Sequence, residues 1–343
     1  MNLASHQRRQ HGFSLVELMI SMLLGLIVIA GATSVFLSNK QLYRTSTALG
    51  RVQENSRTAF DLITRDLRQS RLTGCGNQDP VPRNNLNANT DPANWYANFA
   101  ANGLIGYDGG SADDNPAVTT LPAASNHISG TDSLMLIGAS DIAYSLNSLY
   151  DADDGLDILE SSPELAAGDV IVVCDPAKAD IVQITSISGG KFKLEATGMG
   201  PGNASVPDDN SYNLNSMVSR LKAVSWYIGC NSVATTPACD PEQGGTSLYR
   251  INAVGNASSV SVVPQSDEMV RGVAAVDFKF HKPGDPGFTD TAGVTSWAPA
   301  NVDAVRISVR LVARDSQNLA SPVISRSFST IVSLRNPPAP ITP

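Results

Sequence analysis

The sequence predicts an α+β protein in which a long N-terminal α-helix packs on a mostly antiparallel β-sheet domain. Three observations lead to this fold class. Residues 13–37 form an apolar run whose only charge is Glu17. Apolar residues at helical spacing then continue to residue 72, with no proline on the way. From residue 168 onwards, β-branched segments alternate with turn residues. No helical pattern separates those segments, so we expect the strands to pair antiparallel.

The first element is the apolar run, which is long enough to cross a hydrocarbon core of about 30 Å as a helix. Residues 1–12 precede it and carry Arg8 and Arg9 but no acid, which favours a cytoplasmic N-terminus. A cleaved secretory signal would need a small-residue cleavage site after the apolar core, and no clear one is present. A plain membrane anchor explains the length but not Glu17, because a charge in such a helix costs roughly 2.5–3.5 kcal/mol.

Residues 12–18 read Gly-Phe-Ser-Leu-Val-Glu-Leu and resemble the class III signal of type IV prepilins. The resemblance implies a pilin-like fold and a leader, residues 1–12, that a prepilin peptidase removes by cutting after Gly12. The same enzyme would N-methylate the new amino terminus, Phe13. Gly12 suits the cut because it has no side chain to obstruct an active site. Glu17 would then meet the amino terminus of a neighbouring subunit, which lowers the cost of placing it in lipid. In the alternative, Glu17 only reaches the membrane interface.

Beyond residue 37 the helix is expected to continue as an amphipathic half over residues 38–72. It should end near Leu72, because Gly74 and Gly76 follow. A long coiled coil is disfavoured because the heptads are not sustained. Charged pairs at helical spacing support the helix: Glu54–Arg57, Arg57–Asp61 and Asp61–Arg65. The expected apolar stripe comprises Leu42, Leu49, Val52, Ala59, Phe60, Ile63 and Leu67.

Residues 73–335 are predicted to form a β-rich globular domain. Its first part, residues 77–130, is rich in Asn, Asp, Pro and Gly and is predicted to be a long loop with short helical or strand pieces. The four prolines in the tail, residues 336–343, indicate extended or disordered chain. The predicted strands are 132–138, 169–174, 179–187, 191–195, 217–228, 247–252, 260–263, 273–281, 304–313 and 325–334.

The composition argues for an exported protein. The 343 residues carry a net charge of -8, so nucleic acid is not an expected partner. Four cysteines in an oxidising compartment favour disulfides, for which three connectivities exist. Cys230 and Cys239 flank a turn-rich loop and could close it, which leaves Cys75 with Cys174. Free buried thiols are the main alternative, and metal binding is disfavoured because no C-x-x-C spacing occurs.

No catalytic, metal or cofactor site is predicted, so the chain is not expected to be an enzyme. The segment 151–157 has four aspartates, but Gly155 comes one place too early for a calcium loop, and Ser162 stands where a glutamate is needed. A solvated turn is therefore the favoured interpretation. We find no G-x-S-x-G motif, no phosphate-binding loop and no H-E-x-x-H motif.

Later segments extend the resemblance to minor pilins of the PilW type, with the GspJ minor pseudopilins of type II secretion as near relatives. The segments that carry it, in order, are 51–60, 66–68, 74–76, 168–175, 247–250, 269–273, 304–308 and 334–336. The resemblance implies a minor pilin that initiates type IV pilus assembly with other minor pilins and stays at or near the tip. A secretion pseudopilin, or a tip binding module for host, phage or DNA, is the alternative.

The resemblance also implies partners and a location. The partners would be the prepilin peptidase, other minor pilins, the major pilin and the inner-membrane assembly platform, with a tip adhesin as a further candidate. Residues 13–37 would contact membrane lipid. The chain would begin as a single-pass inner-membrane protein with a cytoplasmic N-terminus, and would then enter the pilus.

Overall fold

The computed structural model describes the side chains and backbone of most of the chain, and the long helix α1, Leu15–Gln69, is its first element. The chain divides into two compact units, Met1–Gly50 and Arg51–Pro343. The described residues are 14–73, 82–87, 92–97, 103–109, 115–121, 127–161, 163–196, 200–233, 239–259, 261–298, 301–313 and 323–334.

The distribution of apolar residues around helix α1 changes along its length. In the first half they surround the helix, and in the second half they lie on one face. In the first unit its large apolar side chains are exposed, except that of Leu49, which is half-buried. In the second unit the buried positions are Val52, Ser56, Ala59, Ile63, Asp66 and Leu67. These recur every three or four residues, as expected for a helix that buries one face. The predicted stripe is correct for Val52, Ala59, Ile63 and Leu67, whereas Leu42 is exposed.

The second unit contains fourteen described strands, and the antiparallel pairing expected from the sequence is confirmed. The parallel contact of β1 with β5 is the exception among the described pairings. The strands are β1 Arg83–Asn84, β2 Leu104–Tyr107, β3 Ser133–Ser145, β4 Val170–Cys174, β5 Ala179–Gln183, β6 Ser186–Ser188, β7 Lys191–Lys193, β8 Met217–Cys230, β9 Thr246–Asn256, β10 Ser261–Arg271, β11 Val273–His281, β12 Phe288–Thr289, β13 Ala304–Ala313 and β14 Ile324–Ser333.

The larger sheet is built around β8, which has 14 residues. Along one side β8 pairs with β3, and β2 follows β3. On its other side β8 pairs first with β4 and then with β9. Strands β5 and β1 extend the sheet beyond β4, and β10 extends it beyond β9. A strand of this length can therefore hold two separate groups of strands on one edge.

A second sheet has the order β12-β11-β13-β14, and β6 and β7 form a separate hairpin. The second half of α1, the larger sheet and the second sheet share one hydrophobic core, which contains Ile63, Leu134, Trp226, Phe278 and Ile307. Two further cores lie under the loops around Trp95 and Tyr150. The second half of α1 is thus part of the globular unit rather than a separate rod.

Several predicted boundaries are corrected by the structure. The predicted strand 179–187 is divided into β5 and β6, because the chain changes partner there: β5 pairs with β4, and β6 pairs with β7. The predicted strand 260–263 is the start of the longer β10. Short elements do occur in the region predicted as a long loop, including the helix α2, Pro116–Thr119, and the 3₁₀ turn Pro92–Ala97.

Candidate functional site on the N-terminal helix

The first half of α1 exposes a continuous apolar surface. Every large apolar side chain from Leu15 to Leu37 is 50–75% exposed. A contiguous apolar surface of this size marks a place that a membrane or another protein covers. Among the described residues, one helix, Leu15–Gln69, is long and apolar enough to cross a membrane, as judged by length and composition alone.

Two hydroxyl groups within this apolar segment are bonded to the helix itself. The Ser21 hydroxyl donates to the Glu17 carbonyl oxygen at 2.7 Å, and the Thr33 hydroxyl donates to the Ile29 carbonyl oxygen at 2.8 Å. Such bonds reduce the cost of placing serine and threonine in an apolar medium. These two residues therefore add little polarity to the surface.

The Glu17 carboxylate differs from those hydroxyls. Glu17 lies in the first turn of α1, where the helix dipole favours a negative charge. Its side chain is exposed, and within the described chain its carboxylate has no ion pair or side-chain hydrogen bond. In an apolar medium it would need a cation from outside this part of the chain. Gly12 and Phe13, the other two predicted processing residues, lie outside the described residues.

A buried carboxylate, Asp66, joins the second half of α1 to the larger sheet, a structural role that the sequence analysis did not predict. Arg250 of β9 donates to Asp66 through Nε at 2.7 Å and Nη2 at 3.1 Å. Lys222 of β8 donates at 2.9 Å, and the indole of Trp226 donates at 3.1 Å. The Asp66 side chain is 4% exposed. We call Asp66, Lys222, Trp226 and Arg250 the Asp66 cluster.

The charges of the Asp66 cluster hold one helix in register with two strands. A buried ion pair adds modest net stability, yet removing one partner leaves an uncompensated charge. The sequence offered one signal, since Asp66 falls on the apolar stripe next to Leu67, where a solvated acid does not belong.

The pair predicted for Asp61 and Arg65 is not present in the described chain, and Arg65 instead contacts Asp141 of β3 at 3.1 Å.

Helix α1 ends earlier than the predicted position near Leu72, and without a glycine. Arg71 adopts a left-handed backbone with φ of 65°. Its guanidinium donates to the carbonyl oxygens of Val302 at 2.8 Å and Trp297 at 3.1 Å, so the buried side chain holds this conformation. Burial lowers the pKa of Arg71 to about 10. Beside it, Gly138 of β3 is required, because a Cβ there would lie 2.1 Å from the Gln69 carbonyl oxygen.

Two of the four cysteines are joined in the described structure. Cys230 and Cys239 form a disulfide that closes the loop between β8 and β9. Cys174 is buried and disulfide-bonded. Cys75 lies outside the described residues, so its predicted pairing with Cys174 stays a prediction.

The aspartates of the segment 151–157 form a turn. The Asp151 carboxylate accepts from the backbone N–H groups of Asp153 at 2.9 Å and Asp154 at 3.1 Å. The Asp154 carboxylate pairs with Lys191, and Asp157 accepts from Asn147 at 3.2 Å. In the part of the chain that the structure describes, no group of three or more His, Cys, Asp or Glu could hold a metal ion.

Comparison with known proteins adds one finding. The family model described as the prokaryotic N-terminal methylation motif matches residues 7–33. No curated protein and no solved structure matches the chain significantly. The matched segment contains Gly12, Phe13 and Glu17, and it extends into the exposed apolar part of α1.

Proposed function

We propose that this chain is a minor pilin of the PilW type, which initiates type IV pilus assembly with other minor pilins and stays at or near the tip. The methylation motif supports the coarser statement that the chain is a type IV pilin or pseudopilin. The observation that carries the proposal is the coincidence of that motif with a helix whose apolar side chains are exposed.

The first step is insertion into the inner membrane. On insertion scales each Leu, Ile, Val or Phe contributes about 0.3–0.6 kcal/mol, so the roughly dozen such residues between Leu15 and Leu37 contribute roughly 4–8 kcal/mol. A central carboxylate costs roughly 2.5–3.5 kcal/mol, and less near a helix end. The apolar residues therefore outweigh Glu17, and residues 13–37 can act as the anchor.

Processing then creates the group that Glu17 needs. Removal of residues 1–12 by a prepilin peptidase leaves Phe13 as the N-methylated, positively charged amino terminus. Glu17 becomes the fifth residue of the mature chain. An amino terminus from a neighbouring subunit can then neutralise Glu17 while the apolar helices pack together, which fixes the axial register of the two subunits. The second unit offers a surface that other pilins or a tip adhesin can contact.

Mass spectrometry of sheared surface filaments tests the proposal. We expect a peptide that begins at N-methylated Phe13, at trace levels beside a major pilin. A control variant with Gly12 replaced by Trp should keep its leader and stay in the membrane fraction. Recovery of wild-type protein that still carries residues 1–12 would contradict the proposal.

A pseudopilin of a type II secretion filament is the second candidate, because the methylation motif supports both classes. The separation of membranes from sheared surface filaments distinguishes the minor pilin from the pseudopilin. A processed chain that stays in the membrane fraction of cells with abundant pili would favour the pseudopilin.

A further inference from the structure

Strand β14 differs from the other strands that end a sheet in the described chain. Natural proteins protect the edges of sheets with short strands, charges, prolines or bulges. Strands β1 and β12 have two residues each and β2 has four. Strand β10 is long, but it contains Pro264, Asp267 and Glu268, and its register shifts between Glu268 and Val270. Each of these edges is therefore short or interrupted.

Strand β14 has only one of these protections, a single charge. It pairs with β13 over ten residues, from Ala304↔Ser333 to Ala313↔Ile324, with no shift in register. Its sequence contains no proline, no lysine and one charge, Arg326. Its other edge pairs with no described strand. Side chains along it are exposed, including Ile331 at 55%. An unbroken, nearly uncharged edge of this length is a template for another strand.

We propose that β14 pairs antiparallel with β14 of a second copy of this chain, forming a twofold-symmetric dimer with a continuous eight-stranded sheet. A second copy suits this edge because it offers a strand of the same length with a single charge, and that charge decides the orientation of the pairing. A parallel, in-register pairing would stack Arg326 on Arg326. An antiparallel pairing centred on Phe328 or Ser329 places Arg326 opposite Thr330 or Val332 instead, so the two cations are separated. With either residue at the centre of the pairing, the exposed faces of the two sheets lie on the same side of the dimer. A twofold axis perpendicular to the sheet requires this arrangement.

A twofold contact closes on itself and stops at two copies. It cannot be repeated along a polar filament, so the dimer would be a state of the chain outside the repeating filament. The inference concerns the purified chain and does not rest on the proposed function. Failure of the dimer would leave the test on sheared filaments unaffected.

The test compares two serine-to-lysine variants of the full chain in detergent. Ser329 on β14 and Ser308 on β13 are cross-strand partners, so their side chains share one face. In the pairing centred on Ser329, the new lysine would lie directly opposite its symmetry mate. In the pairing centred on Phe328, it would lie diagonal to that mate. We expect a wild-type dimer by sedimentation, about tenfold or more weaker association for Ser329→Lys, and an unchanged dimer for Ser308→Lys. Tryptophan fluorescence during heating checks that each variant is folded.

A second measurement locates the contact. A short bis-maleimide cross-linker should join Ser329→Cys into a covalent dimer in either register, and should not join Ser308→Cys. A monomeric wild-type chain would overturn the proposal, as would a dimer that both lysine variants form equally well, because that dimer would use another surface.

Discussion

At the scale of single residues, the two carboxylates Glu17 and Asp66 of α1 have opposite surroundings. Glu17 is exposed on an apolar helix and has no ion pair within the described chain. Asp66 is buried and accepts hydrogen bonds from three side chains of two strands. The first is suited to an intermolecular partner and the second to holding the fold, so we expect substitutions at the two positions to have different effects.

Glu17→Ala should leave leader cleavage largely intact but reduce incorporation into filaments by about tenfold or more, because the neighbouring amino terminus loses its counter-charge. Immunoblots of membrane and sheared-filament fractions measure both quantities. Ser21→Ala is the matched control one turn away, since the Ser21 hydroxyl is bonded to its own helix. Normal assembly of Glu17→Ala would refute the pairing role.

Asp66→Ala should lower the free energy of unfolding by about 3–5 kcal/mol, because Lys222 and Arg250 would keep their charges without the carboxylate. In a domain of this size that corresponds to a fall in Tm of roughly 6–20 °C. Tryptophan fluorescence during heating, to which the buried Trp226 contributes, reports the transition. Asp61→Ala, an exposed position on the same helix, should change the free energy by less than about 0.5 kcal/mol. Equal effects of the two variants would contradict a special role for Asp66.

At the scale of elements, the junctions between α1 and the strands depend on residues that local propensity does not identify. Arg71, rather than a glycine, takes the left-handed backbone after α1 because its guanidinium is held by two carbonyl oxygens. Gly138 lies in the middle of β3 because the end of the helix approaches the strand closely. Both choices come from contacts distant in sequence.

The loop between β8 and β9 provides a test at this scale. Cys230 and Cys239 are nine positions apart in the sequence, so their disulfide should stabilise the fold by about 2–3 kcal/mol in the chain-entropy treatment. The double variant Cys230→Ser/Cys239→Ser should therefore melt roughly 4–12 °C lower. Replacing both cysteines leaves Cys174 unchanged, unlike chemical reduction. An unchanged Tm would show that the loop is held by its other contacts.

At the scale of the whole molecule, an exposed apolar helix and a β-rich unit are combined in one chain. The helix gives the chain a means of packing with other apolar helices, and the second unit offers a large and varied surface. Such a division suits a filament subunit whose globular part differs from that of its neighbours. The same division suits a pilus or a secretion filament, so an experiment in cells is needed to distinguish these two functions.

Deletion of the gene provides that separation. If the chain is a minor pilin, the deletion strain should lose most surface pili and twitching motility while exoproteins are still released. Electron microscopy, motility assays and secretion assays measure the three properties. Complementation with the wild-type gene should restore what is lost, and complementation with Glu17→Ala should not. Loss of exoprotein release with normal pili would favour the pseudopilin.

The sequence by itself determined the helix, the β class of the second unit and the candidate residues Gly12, Phe13 and Glu17. These depend on local information: an apolar run, helical or alternating spacing, and a short motif. Only the tertiary structure decided the order of the strands, the Asp66 cluster, the left-handed Arg71 and the edge of β14 that no described strand covers. The physical reason is that each of these depends on which distant residues meet, as when Asp66 contacts Arg250, 184 positions away.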